Sequence, residues 1–258
     1  MHMRYAIIAA GEGSRLAAEG VSAPKPLVTV NGEALIDRLI RVFMDNKAEE
    51  IVVICNDLTS LVASHLEELQ RDGLRGHNVP LRFVVKSTPS SMHSFYEISK
   101  YLTQGPFVLT TVDTIFREEE FADYVKMFRE EIRGERGEVR GENHPQVGET
   151  NEVRVDGLMG VTDFIDDEKP LYVKTNDDGL IVDFLDKDPH PHFISAGIYG
   201  LTPRAIDTLQ RCIERGESRM RNFQRALLRD GLCLNTYTFS KVFDIDHAAD
   251  IAKAEAII

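Results

Sequence analysis

The chain has 258 residues, 43% of them hydrophobic, and a formal net charge of -12. That is apolar enough to bury a substantial core as one large domain or two small ones, and too acidic for a nucleic-acid groove or an anionic membrane as the main partner. Three cysteines, Cys55, Cys212 and Cys233, sit in apolar stretches without C-x-x-C spacing, and no run approaches the roughly 18 apolar residues of a membrane span. The expectation is a cytoplasmic globular protein with buried thiols, in which anionic small molecules would be held by local cations or a metal.

In chain order, "YAIIAA", "IVVIC", "LRFVV" and "FVLTTV" read as buried central strands, separated by "ALIDRLIRVFMDN", "LTSLVASHLEELQRD" and "SMHSFYEISKYL" as amphipathic helices. This alternation predicts an α/β protein: a Rossmann-like, mostly parallel sheet with helices on both faces. In the third helix Met92, Phe95, Tyr96, Ile98, Ser99 and Leu102 form a stripe expected to pack on the sheet. After the helix "EEEFADYVKMFREE", residues 131–152 are charged and glycine-rich without apolar period, which predicts a mobile loop or insertion. From Asp156 to Leu201 several strands with turn signals predict a small strand-rich lobe joined to the same sheet. Helices near Pro203 to Arg215 and Met220 to Arg229, a strand "CLNTYTF" and a last helix from about His247 complete the chain. The division expected within a single domain, 1–258, is 1–130, then the 131–152 loop, then 153–258.

"AIIAAGEGSRLAAEGVSAPKPL" leaves the carboxyl end of the first strand, where open parallel sheets place ligands. Gly11 and Gly13 allow a sharp turn that brings backbone N–H groups close to an anion. Arg15 offers a planar fork for phosphate oxygens, and Lys25, between Pro24 and Pro26, is a compact charge on a stiff extended segment. The dinucleotide fingerprint fails because Leu16 stands at its third glycine, and a P-loop would need Gly-Lys-Ser/Thr. A phosphate-binding loop outweighs an ordinary glycine-rich turn with surface cations.

These residues resemble the signature of the sugar-nucleotide nucleotidyltransferases, or NDP-sugar pyrophosphorylases: an apolar strand, A/G-G-x-G-S/T-R, a variable loop and P-K. "FVLTTVDTIF", "GLIVDFLDKDP", "FISAGIYGLTPRAID" and "KVFDIDHAADIAKAE" continue the resemblance in the family's order from Tyr5 almost to the end of the chain. It implies the nucleotide-diphospho-sugar transferase fold, with 1–130 binding the nucleotide and 153–258 the acceptor. The implied activity transfers NMP from a nucleoside triphosphate to a sugar 1-phosphate with release of pyrophosphate. It further implies nucleotide contacts at Ala9, Ala10, Gly11, Glu12, Gly13, Ser14, Arg15, Lys25 and Ser91, with Arg15 and Lys25 also catalytic. The acceptor would be held at Lys187, Ser195, Ala196 and Gly197, and Mg²⁺ at Asp113 and Asp244, with Asp246 able to assist. Such chemistry is positioning and electrostatics, needing no protein nucleophile.

Several residues have a second reading. Asp113 could cap the next segment, Asp244 or Asp246 could cap the last helix, with Asp246 a good N-cap candidate, and Lys187 could be a turn lysine. His190 and His192 read as a solvated loop for want of a third ligand, and His93 and His144 carry no signal. Departures from the family pattern fall at Ser91, Met92 and His93 by the base, at Val112, at Asp186 to Asp188, and at Ser195, where asparagine is usual and an amide is therefore lost. "SSMHSFYEISKYL" is also similar to cytidylyltransferases acting on phosphocholine or other phosphorylated alcohols. A glycosyltransferase and a non-catalytic nucleotide-sugar sensor are the remaining alternatives.

Overall fold

A computed structural model describes residues 3–134, 155–166 and 169–258. Most of the expected 131–152 loop, with His144, lies outside them.

Strand β1 (Met3–Ala9) is the spine of a nine-stranded sheet. On one side it pairs in parallel with β4 (Ala48–Cys55), which pairs with the edge strand β5 (Leu81–Val85); on the other it pairs with β6 (Phe107–Thr111). Two short strands, β2 (Thr29–Val30) and β3 (Glu33–Ala34), form a ribbon around Asn31-Gly32, both at positive φ as a tight hairpin turn requires. The chain runs outward from β1 to β5 and then returns past β1 to β6. The order therefore reverses beside β1, and a crevice opens at its carboxyl end.

Alternation along β1 shows why helices cover both faces. Tyr5, Ile7 and Ala9 enter one apolar cluster and Ala6 and Ile8 the other, and none is more than 6% exposed. The first cluster is covered by α2 (Leu35–Asp45), α3 (Ser60–Asp72) and α5 (Glu118–Arg133), with the Tyr5 and Phe43 rings stacked at 4.5 Å. The second is covered by α4 (Ser91–Ser99), α6 (Arg204–Glu214) and α7 (Met220–Arg229), with Phe95 edge-on to Phe223. Truncating the fully buried Phe95 to alanine would cost about 3–5 kcal/mol. α3 starts where the Thr59 hydroxyl accepts from Leu61 N–H, and α5 opens with three glutamates and closes on Gly134 in the left-handed conformation.

The second half extends the sheet, as expected. β11 (Phe193–Leu201) runs antiparallel to β6, then to β8 (Gly157–Thr162), and β12 (Leu234–Phe239) pairs in parallel with β8. β9 (Tyr172–Thr175) and β10 (Ile181–Leu185) hang from the start of β11. Three expectations need correction. Tyr96 leaves the buried stripe of α4 and is 39% exposed, because only its neighbours at helical spacing face the sheet. Cys55 and Cys212 are buried free thiols, but Cys233 is half-buried. The final helix, α8 (Ala248–Glu255), has His247 rather than Asp246 as its N-cap, since the Asp250 carboxylate accepts from His247 N–H at 2.8 Å. Among the described residues no helix is long and apolar enough to cross a membrane.

Candidate active site

The loop after β1 is pinned from beneath. Asn56, just after β4 and nearly buried, donates to the carbonyls of Gly11 at 3.0 Å and Ala10 at 3.3 Å, and so fixes the loop where it lines the crevice. Gly13 has φ 63°, and a Cβ there would lie 3.2 Å from Lys25 Cβ. Glycine is thus required by backbone conformation and by the lysine packed against it. A short helix, α1 (Ser14–Ala18), follows, and Glu19 beyond it accepts from Ala248 N–H at 2.7 Å and pairs with His247 at 2.6 Å. The loop is thereby tied to the start of α8. Those hydrogen bonds, His247 first, hold the Glu19 carboxyl below its ordinary value, in keeping with a carboxylate at a helix N-terminus.

Two aspartates 131 positions apart meet through a two-stranded ribbon. β7 (Thr114–Ile115) pairs antiparallel with β13 (Phe243–Asp244), and Ile245 N–H donates to the Asp113 carbonyl at 3.1 Å. Thr114 donates its hydroxyl to Asp244 at 3.0 Å. Lys25 Nζ lies 2.6 Å from Asp113 and 3.0 Å from Asp246, and Arg15 binds Asp246 at 2.7 Å. Burial works against the charge of Lys25, but the two carboxylates more than offset this and raise its pKa. Asp244 stands at the open mouth of the crevice yet is crowded by protein. That crowding first, then the charges of Asp113 and Asp246, push its carboxyl above the ordinary carboxylate range. Asp246, expected as a cap, is the carboxylate that joins both cations of the loop.

The cluster separates two cavities. One, of about 350 Å³, is lined by Ala9, Ala10, Gly11, Glu12, Gly13, Lys25, Ser91 and Asp113 of the expected set, together with Thr88, Ser90 and Ser94. The other, of about 660 Å³, is lined by Arg15, Ser195, Ala196, Gly197, Asp244 and Asp246, together with Lys169, Tyr199, Arg219, Arg221 and Gln224. Ser14 lines neither. Lys187 also lies outside both, on an exposed turn after β10, while its neighbour Asp186 binds Arg221 at 2.6 Å and Arg225 at 2.8 Å. A bulge in β11 aims Ser195 and Gly197 into the larger cavity: four steps from Ser195 to Tyr199 oppose two on β8, with Gly197 at φ 69°. Asn56, Tyr199, Arg219 and Gln224 were missed in the sequence. An asparagine straight after "IVVIC" and a polar residue at a core-facing position of α7 were the available signals.

Among the described residues no three His, Cys, Asp or Glu side chains form a ready-made metal cage. The donor set nevertheless fits a hard divalent cation. Asp113 and Asp244 bring two hard carboxylates to the β7–β13 ribbon, and the pKa of Asp244 is raised by desolvation first and by the negative charge of Asp113 second, a charge that a cation would offset. Two carboxylates completed by substrate phosphates is a common way to hold Mg²⁺.

A parallel sheet whose first strand feeds a glycine loop with Arg15 and Lys25, facing two aspartates across a crevice, defines a nucleotidyltransferase built on the nucleotide-diphospho-sugar transferase fold. A family model for the MobA-like NTP transferase domain matches residues 5–140, and the chain belongs to that family. It is 24% identical over 261 residues to the UTP–glucose-1-phosphate uridylyltransferase AglF of Haloferax volcanii, covering 98% of this chain and 95% of that protein. Among solved structures it is similar to a UDP-glucose pyrophosphorylase complexed with UDP-glucose, with a TM-score of 0.74 and 14% identity over 99% of this chain and 98% of the other. It is also similar to the CTP:phosphocholine cytidylyltransferase LicC of Streptococcus pneumoniae, with a TM-score of 0.70 and 17% identity over 100% and 99%. At such identities the structural likeness carries the fold alone.

Proposed function

We propose that the protein transfers a nucleoside monophosphate from a nucleoside triphosphate to a sugar 1-phosphate, releasing pyrophosphate and forming an NDP-sugar. The observation that carries this reading is the Lys25–Asp113–Asp246–Arg15 cluster on the wall between two cavities, where an α-phosphate held in the smaller one meets an acceptor held in the larger. The Gly11 to Gly13 amides and Arg15 hold the triphosphate tail. Lys25 faces the α-phosphorus and stabilises the charge that grows as an acceptor phosphate oxygen attacks and pyrophosphate leaves on the opposite side. Asp113 and Asp244 hold Mg²⁺, which supplies further neutralisation of phosphate charge. Ser195 and the bulged backbone at Ala196 and Gly197 line the acceptor side. Because Lys25 is engaged by Asp113 and Asp246, triphosphate and metal must draw these groups apart, so each is expected to favour binding of the other.

The test is pyrophosphate release by the purified protein with Mg²⁺, crossing CTP, GTP, UTP, ATP and dTTP against hexose 1-phosphates and phosphocholine. Release requiring one triphosphate and one hexose 1-phosphate, and abolished by EDTA, supports the proposal. Triphosphate binding without release against any acceptor overturns it.

A further inference from the structure

The floor of the larger cavity carries a polar group that the phosphate chemistry leaves unused. Gln224 lies on the inner face of α7 among Phe223, Ala226 and Leu227, and is 3% exposed. An apolar residue there would complete the helix stripe at no desolvation cost. Instead Ser195 donates its hydroxyl to Gln224 Oε1 at 2.9 Å, and Gln224 Nε2 lies 3.4 Å from the Tyr199 hydroxyl, which can accept from it. All three side chains line the cavity. A glutamine amide can make four hydrogen bonds, and these two leave one donor and one acceptor position on Gln224. Tyr199 is equally buried, and its pKa is raised by burial first and by Asp244 second, so it remains a neutral phenol. Leu171, Ile194 and Met220 add apolar surface to the same cavity, whose other polar lining is mostly charged side chains such as Lys169, Arg219 and Arg221, so Gln224, Ser195 and Tyr199 are its uncharged partners for a ligand's hydroxyl.

We propose that Gln224 is a specificity-determining residue for the acceptor: with Ser195 and Tyr199 it reads a hydroxyl on the acceptor's carbon skeleton. The inference rests on the transferase reading above and deepens it, because it commits the acceptor to a hydroxylated skeleton and against the quaternary ammonium of phosphocholine, which offers the amide no donor and no acceptor. The bond between Ser195 and Gln224 also gives a reason for a serine on β11: its short side chain leaves room for an amide delivered from the helix.

The experiment starts from the wild-type protein, Mg²⁺, the preferred triphosphate and the hexose 1-phosphate it turns over best, followed by the monodeoxy analogues of that sugar phosphate. One analogue should lose roughly tenfold or more in kcat/KM, since its missing hydroxyl leaves buried polar groups unpaired. Gln224→Met, which conserves volume, should raise the acceptor KM by about tenfold, leave the triphosphate KM within about twofold, and abolish the difference between the parent sugar and that analogue. S195N combined with Q224A should regain part of the loss, because an amide returns to the same place from the strand. A destabilised Gln224→Met protein would be replaced by Gln224→Glu, and the wild-type comparison with deoxy sugars needs no variant at all. Equal turnover of every deoxy analogue, or unchanged discrimination in the Gln224 variants, overturns the inference and leaves the transferase standing. Turnover of phosphocholine but no sugar phosphate overturns the inference and the sugar 1-phosphate acceptor together, and leaves only nucleotidyl transfer standing. No pyrophosphate release with any pair removes the transferase reading itself.

Discussion

Two of the ion-pair clusters among the described residues are built to different ends. Between α2 and α5, Arg41 makes paired contacts of 2.8–2.9 Å with both Glu33 and Glu118, Arg75 reaches Glu33 at 2.9 Å, and Asp45 stands 3.7 Å away. Arg38, beneath them, donates to the Phe116 carbonyl at 2.6 Å and lies 3.5 Å from Glu118. Three arginines face three carboxylates, and the Arg41 fork is fully engaged, while the buried Arg38 Nε has only the longer 3.5 Å approach to Glu118. Hydrogen bonding to Glu118 and Glu33 raises the pKa of Arg41, and hydrogen bonding to Arg41 chiefly lowers that of Glu118. At the crevice Lys25 and Arg15 face Asp113, Asp244 and Asp246, so one negative charge is left over, and desolvation first, then the charges of Asp113 and Asp246, push Asp244 towards protonation. A structural cluster closes on itself, whereas the crevice cluster is unbalanced in the direction that a cation would complete.

Substitutions can break this contrast. The largest effect is expected for Asp113→Asn, which should lower kcat on the order of 10³-fold or more while leaving the melting temperature unchanged or higher, because it relieves carboxylate crowding. Lys25→Met should lower kcat by roughly 10²-fold to 10³-fold, and adding it to Asp113→Asn should cost far less than the product of the two losses, since both act on one centre. In the structural cluster the signs reverse. Arg41→Met removes the two-pronged partner of Glu33 and Glu118, leaving them only Arg75 and Arg38, and should cost about 1 kcal/mol of stability, lowering Tm by roughly 3 °C with KM and kcat unchanged. A kinetic defect at Arg41 that exceeds its stability defect would mean the two clusters are not separate.

Smaller effects sharpen the comparison. Gly13→Ala forces a side chain into φ 63° against Lys25 and should cost about 1 kcal/mol while lowering kcat through a displaced lysine. The smallest effect is on pH. Asp244 has a folded pKa above its ordinary 3.8, so the folded state binds more protons than the unfolded chain between those values. Stability without metal should therefore fall as pH rises through that window, and level off above the raised value. Mg²⁺ needs the deprotonated carboxylate, so its stabilising effect should grow over the same range. Thermal melts from pH 5 to 9 with and without Mg²⁺ test both signs, and Asp244→Asn should flatten the two curves.

Much of the architecture was legible in the sequence because its signals are local. The buried runs from Tyr5 to Ala10 and Ile51 to Cys55, the helical period of α2 and α3, and the glycine loop with Arg15 and Lys25 each lie within a dozen or so consecutive residues. The site was legible only in part. Asp246 follows two apolar-flanked positions ahead of a helix, and by local rules that is a cap; it took the pairing of β7 with β13 to bring it between Lys25 and Arg15. Lys187 has the right neighbours in the chain, but the turn after β10 carries it outside both cavities.

The sequence by itself determined which segments would be strands and helices, where the first loop would emerge, and that cations would gather there. These follow from side-chain periodicity and from the restricted backbone of glycine and proline, which act over a few residues. Only the tertiary structure decided that Asn56 would hold the loop, that Asp113 would meet Asp244 across 131 positions, and that the amide missing at Ser195 would be supplied by Gln224 from a helix 29 residues on. A hydrogen bond or an ion pair is satisfied by distance in space, and distance along the chain carries no record of it until the sheet is assembled.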